Sequence, residues 1–201
     1  MAEQTIKNVI FDMGGMLINF DGPYFSSVFT DTPEDAALLQ AAYFGRTEWS
    51  LLDSGTIDDD TMTRVAKAHL PRRLWPNLRE CVAHWPEHSH PLDSANELAI
   101  RLKQEGFGIY LLSNASRRIG EQLVNLPVYP YLDGWMASAF ERIMKPDPAI
   151  FRLFCLRYQL DPVTCLFVDD NPDNCTGARV AGLKAFHYMG DVAALETAIR
   201  K

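Results

Sequence analysis

The sequence predicts an α/β protein: a parallel sheet covered by helices on both faces, with a small helical bundle inserted after the first strand. Three observations predict it. Short apolar runs at 6–11, 107–112, 165–168 and 185–188 alternate with helical stretches, a pattern that yields parallel strands joined by crossover helices. The first three runs end in polar residues (Asp12, Ser113-Asn114 and Asp169-Asp170), as buried parallel strands do at the sheet edge where ligands bind. Between about Gly22 and Leu92 the alternation stops and only helical periodicity remains.

Each element has its own justification. The run at 6–11 is short and apolar, with Gly14-Gly15 turning the chain behind it. The insert carries periodic apolar residues, Ala36, Leu39, Ala42 and Tyr43, then Met62, Val65 and Ala66. Ser54-Gly55-Thr56 breaks it, and Thr56 or Asp58 is placed to cap the next helix. Pro71, Pro76, Pro86 and Pro91 punctuate its end. A helix over 94–105 closes on Gly106 as C-cap, followed by a strand at 107–112 and a helix at 116–125. A short strand is expected at 135–139, and a helix at 147–159 with proline near its first position. The strand at 165–168 leads to a helix at 173–181 that Gly182 ends and that Asp173 and Asn174 cap. A last strand at 185–188 and a helix at 191–200 complete the chain. Residues 1–18 and 92–201 thus form the core, and 19–91 a helical cap above the C-terminal edge of the sheet. No internal repeat or low-complexity segment is visible.

With 201 residues the chain can hold one domain plus a smaller insert. Hydrophobic content of 47% and charged content of 22% fit an ordinary globular protein. A net charge of −7 argues against a nucleic-acid partner, although a local field can still favour an anionic small molecule. The start, Met1-Ala2-Glu3-Gln4-Thr5, lacks the basic flank and apolar core of a signal peptide, and no apolar run could span a bilayer. Cys81, Cys155, Cys165 and Cys175 form no Cys-x-x-Cys spacing, and Cys155 and Cys165 read as buried thiols. A reduced, cytoplasmic protein with neither nucleic acid nor membrane as partner is expected.

Four segments carry chemistry. Asp12, ending a buried strand before Gly14-Gly15, can be a carboxylate nucleophile toward phosphorus, where the bland reading is a turn cap. Ser113 and Asn114 can bind phosphoryl oxygens, although the same pair is common in plain turns. Lys145, stiffened by Pro146-Asp147-Pro148, can neutralise a phosphate and hold Asp12, where a lone lysine is otherwise solvated. Asp169-Asp170 is an unfavourable acid pair unless a cation or base lies between its members, and hard oxygen donors of this kind suit Mg²⁺. The histidines at 69, 84, 88, 90 and 187 are scattered and read as none of its ligands.

In this order the four segments resemble the motifs of the haloacid dehalogenase-like (HAD) hydrolase superfamily over essentially the whole chain. The resemblance implies a Rossmann-like core and a helical-bundle cap. It also implies Asp12 as nucleophile and Mg²⁺ ligand, the Gly14 carbonyl and Asp170 as further ligands, and Asp169 holding Lys145 or a metal-bound water. Ser113, Asn114 and Lys145 would bind the transferring phosphoryl group. One departure is visible. Phosphatases of the superfamily usually place a second Asp two residues after the nucleophile, as acid/base, and here that position is Gly14. Members resembling the glucose-1-phosphatase group share an Asp-x-Gly start. The implied function is a Mg²⁺-dependent phosphatase of a small phosphorylated metabolite, such as a sugar phosphate, through an aspartyl-phosphate. A metal-independent 2-haloacid dehalogenase is the first alternative, disfavoured by the retained Asp169-Asp170 pair. A phosphate-binding or regulatory protein without turnover is the second. Asp21 or Glu48 could replace the missing acid. Arg46, Trp49 and the Asp53-Ser54-Gly55 turn are candidates for specificity, with Trp49 and Trp75 reading first as cap core.

Overall fold

The computed structural model describes residues 5–200. Five parallel strands form one sheet: β1 (Asn8–Phe11), β2 (Gly108–Ser113), β3 (Gly134–Ala137), β4 (Cys165–Asp169) and β5 (Lys184–His187). Their order is β3-β2-β1-β4-β5, so the chain starts in the middle and winds outward in both directions. That reversal on either side of β1 opens a crevice at the C-terminal strand ends.

The alternation of side chains along the strands sorts the core into two layers. Val9 and Phe11 of β1 point to one face with Ile109, Leu111, Leu166 and Val168. There they meet α6 (Asp93–Gln104), α7 (Ile119–Leu123) and α11 (Val192–Ile199). Ile10 points to the other face with Tyr110, Leu112 and Phe167, packed under α9 (Pro148–Tyr158) and α10 (Pro172–Val180). The short helix α8 (Ser138–Glu141) follows β3 directly. The strand expected at 135–139 therefore stops at Ala137, and the Ser138 hydroxyl accepts from the Ala115 amide. The helix expected over 116–125 shrinks to α7, because Ser116 spends its hydroxyl on the Arg118 amide in a turn. The 94–105 helix ends as read, with Gly106 at φ +96 just beyond it.

The insert comprises α1 (Gly22–Val28), α2 (Pro33–Ala42), α3 (Trp49–Asp53), α4 (Asp59–Ala68) and α5 (Trp75–His84). It has an apolar core of its own, built on Phe25, Leu39, Tyr43, Met62, Leu78 and Trp85. Asp58 caps α4 through the Thr61 amide, whereas Thr56 bonds to Ser54. The two connections to the sheet run side by side. Ile18 bridges to Pro91, and the Asn19 amide donates to the His90 carbonyl at 2.9 Å.

Candidate active site

Asp12 follows β1, and its amide continues the ladder to Val168 at 2.8 Å. The chain then folds back so tightly that the Leu17 and Ile18 amides both reach the Met13 carbonyl. Gly15 makes this possible: its φ is +71, and a Cβ there would collide with the Asp170 carboxylate. The turn thus brings β1 and β4 residues together at the sheet edge.

Lys145 joins them. Its Nζ donates to Asp12 Oδ1 at 2.6 Å and to Asp169 Oδ2 at 2.7 Å, and the side chain is almost wholly buried. Asn114 clamps its main chain from both sides, donating to the Lys145 carbonyl at 2.8 Å and accepting from its amide at 2.9 Å. The Asn114 side-chain amide is thus committed to holding the lysine, and the residue lines the cavity, where its main-chain N–H is the group left to the phosphoryl contact expected of it. Asp169 is fully buried and further satisfied by the Asn171 amide at 2.8 Å and by Asn174 Nδ2 at 3.0–3.1 Å. Asn174 was expected to cap α10. The cap is Asn171, which accepts from Asp173, while Asn174 turns inward one helical turn later.

Electrostatics follow from burial. Desolvation pushes the Asp12 carboxyl up to about 6 against the pull of Lys145, with Asp169 adding to the rise. Burial also opposes the Lys145 charge, yet the two carboxylates outweigh it and lift its pKa above the ordinary lysine value. Asp170 is raised by burial and by Asp169 beside it. Removing one member of the buried Asp12–Lys145–Asp169 network typically costs about 3–5 kcal/mol, because a charge is left unpaired. The carboxylate oxygens of Asp12, Asp169 and Asp170 come within 4.8 Å of one another. Since Lys145, Asn171 and Asn174 occupy Asp169, Asp12 and Asp170 are the residues with oxygens to spare for a hard divalent cation.

These groups floor a cavity of about 410 Å³. Ser113 and the Gly14-Gly15 turn share the floor, while Phe20, Trp49, Asp53 and Trp85 come down from the insert as walls. Trp49 is both cap core and wall, packing on Tyr43, Phe44 and Trp85. Trp75 lies outside the cavity under Lys67 and Arg72. Arg46 and Glu48 pair with each other, which holds the Glu48 carboxyl down at about 2, and Asp21 caps α1; none of the three lines the cavity. A larger concavity of about 600 Å³ between α1 and α2 contains none of the motif residues.

Comparison with known proteins agrees with this arrangement. The family model for haloacid dehalogenase-like hydrolases matches residues 6–182. The chain belongs to that family. HAD membership accounts for the order of the four segments and for the centrally placed β1. Among curated relatives, Sesquiterpene phosphatase astK of Aspergillus oryzae is 24% identical over 193 residues, covering 94% of this chain and 93% of that protein. The HAD-family enzyme bt-2542 of Bacteroides thetaiotaomicron, solved with magnesium and inorganic phosphate, superposes with a TM-score of 0.75 at 20% identity over 94% of this chain and 98% of its own. A dehalogenase solved as an intermediate complex gives 0.76 at 19% identity, over 98% and 99%. At such identities the structural likenesses establish the fold.

Sequence reasoning missed Asn174, Phe20 and Trp85. Asn174 was masked by its place beside a helix start. The two aromatics lie in a stretch whose apolar residues mark packing without saying which edge faces the sheet.

Proposed function

We propose that this HAD hydrolase is a Mg²⁺-dependent phosphatase acting through an aspartyl-phosphate on Asp12. The observation that carries this reading is the Lys145 bridge: one buried ammonium holds a strand-end carboxylate beside a second acid pair at the floor of a cavity. Lys145 keeps Asp12 oriented and favours its ionised form. In this reading Ser113, Asn114 and Lys145, which line the cavity, receive phosphoryl oxygens, and Asp169, tied by Asn171 and Asn174, fixes the lysine. Mg²⁺, held by Asp12, Asp170 and the Gly14 carbonyl, would stabilise the charge that gathers on the phosphoryl group.

The alcohol part of the substrate is proposed to be apolar. The apolar lining is Met13, Ile18, Phe20, Trp49 and Trp85; beside it stand Asp53 and two polar side chains that already have partners, Gln122 on Ser89 and Ser116 on the Arg118 amide, and Lys145 is the cation lining the cavity among the described residues. A sugar needs several polar partners and a second acidic group needs a second cation, whereas an isoprenoid-like chain needs neither. The sesquiterpene phosphatase named among the relatives supports the same choice. The HAD dehalogenases share the fold, but the Asp169-Asp170 pair favours phosphoryl chemistry with a cation.

The test is turnover of a prenyl monophosphate against glucose phosphates and 2-chloropropionate, with and without Mg²⁺. The reading expects Mg²⁺-dependent release of phosphate, preference for the prenyl ester, and loss of turnover in Asp12→Asn. Metal-independent chloride release would establish the dehalogenase reading instead.

A further inference from the structure

We propose that Asp53, carried by the insert, is the general acid and base of this site. The inference rests on the phosphatase reading and assigns the proton transfers that reading requires.

Breaking the ester bond leaves an alkoxide that must gain a proton, and the later attack by water must lose one. The ionisable groups lining the cavity are Asp12, Lys145, Asp170 and Asp53. Asp12 is consumed as nucleophile. Lys145 is held by two carboxylates. Asp170 belongs to the acid cluster that suits a cation. Asp53 is the cavity carboxyl left over, and it stands on the wall that the insert supplies, at the end of α3.

Its position is built. The Asp53 carbonyl accepts from the Ser138 hydroxyl at 2.6 Å, and that same hydroxyl accepts from the Ala115 amide at 3.0 Å. Ser138 is wholly buried, so a single fixed atom links the Asp53 turn to the loop that follows β2. Two residues on, Gly55 presses against the Ala139 carbonyl so closely that a Cβ would clash. The Asp53 carboxyl is raised to about 7 by burial, partly offset by hydrogen bonding from the Trp49 side chain and the Ser116 backbone. Charged groups facing it across the cavity are Asp12, Lys145 and Asp170, and the adjoining cleft around Leu52 and Gly55 adds Asp58, Asp59 and Arg117. A proton donor matched to neutral pH serves both directions of transfer.

The steps balance. An Asp12 oxygen bonds to phosphorus, the bond from phosphorus to the ester oxygen breaks, and the departing alkoxide takes the Asp53 proton to leave as the alcohol. Asp53, now a carboxylate, takes a proton from water as the water oxygen attacks phosphorus. The bond from phosphorus to Asp12 breaks, inorganic phosphate leaves, and Asp53 is again protonated.

The experiment compares wild type and Asp53→Asn, with Mg²⁺, on a simple alkyl phosphate and on 4-nitrophenyl phosphate. Turnover of the alkyl ester is expected to fall about 10²–10⁴-fold. Nitrophenolate needs no proton, so the variant is expected to release one equivalent per site at near the wild-type rate and then slow, as dephosphorylation becomes limiting. The wild-type kcat/KM for the alkyl ester is expected to decline above about pH 7, and the variant to lose that limb. Gly14→Asp offers a second readout. A Cβ there meets Phe20 at 3.8 Å, an ordinary contact, and the added carboxyl is expected to restore turnover to the Asp53→Asn variant. An equal loss of first-turnover rate on both esters, or no loss on either, would overturn the proposal. Failure of the underlying reading is separate: wild type would then release no phosphate from either ester.

Discussion

Asp53 illustrates what a residue costs when chemistry fixes its place. Its pKa is raised from 3.8 to about 7, so the folded protein binds a proton that the unfolded chain releases between those values. Stability from this group is therefore intact below about pH 4 and is lost as pH rises toward 7. Asn at position 53 removes the penalty. Discounted for the solvent that still reaches this partly buried carboxyl, the gain is about 2 kcal/mol at pH 8, or about 4–8 °C in Tm. Melting curves of Asp53→Asn and wild type should coincide near pH 4 and diverge toward pH 8; a constant gap would show that the carboxyl is not raised. In the sequence Asp12, Lys145, Asp169 and Asp170 were legible because each sits at the end of an apolar run or in a stiff proline segment. Asp53 was legible only as part of a turn. Its chemistry arises from Ser138 and Trp49, which no local pattern joins to it.

At the scale of elements, the insert behaves as a module with its own apolar core and a two-stranded root. We propose its bounds as 19–91, from Asn19 to Pro91, where the two connections lie hydrogen-bonded to each other. Because Asn19 and His90 already touch, replacing 20–89 by two or three glycines spans no distance. The shortened chain should fold cooperatively, lose its walls Phe20, Trp49 and Trp85, and hydrolyse prenyl and sugar phosphates at comparable low rates. Retained ranking between the two esters, read from kcat/KM, would move selectivity into the sheet. The helices and strands themselves were read from period and punctuation with ends shifted by a few residues. The exceptions were 116–125, where the Ser116 hydroxyl takes the Arg118 amide in a turn and the helix starts late, and 135–139, where the Ser138 hydroxyl takes the distant Ala115 amide and the strand stops early. Neither kind of bond leaves a periodic trace, and the second depends on a tertiary neighbour.

For the whole molecule, charge and metal are coupled. The chain carries −7 overall, and three acids converge on one edge of the sheet with one buried lysine among them. A divalent cation that binds only the folded form stabilises it by mass action, by about 2.7 kcal/mol at a concentration of 100 Kd. Mg²⁺ should then raise Tm by about 5–10 °C. Asp170→Asn should cut that shift to a small fraction while leaving the metal-free Tm nearly unchanged. An undiminished shift would place the ion elsewhere. The fold class was legible from alternation alone, since a buried sheet of this kind admits few sequence patterns. The apolar character of the cavity was not, because it depends on which face of the insert meets the sheet. No helix among the described residues is long and apolar enough to cross a membrane.

The central place of β1 has a consequence for synthesis. It is made before the other four strands of the sheet, yet its two neighbours are β2, completed at Ser113, and β4, completed at Asp169. At about 5–20 residues per second, one side of β1 waits about 5–20 s for a partner and the other about 8–30 s. During that interval Val9, Ile10 and Phe11 offer an apolar, unpaired edge of the kind that recruits other chains. Slower elongation after residue 113 should therefore lengthen exposure at one edge only, whereas a stall before residue 108 leaves both edges open.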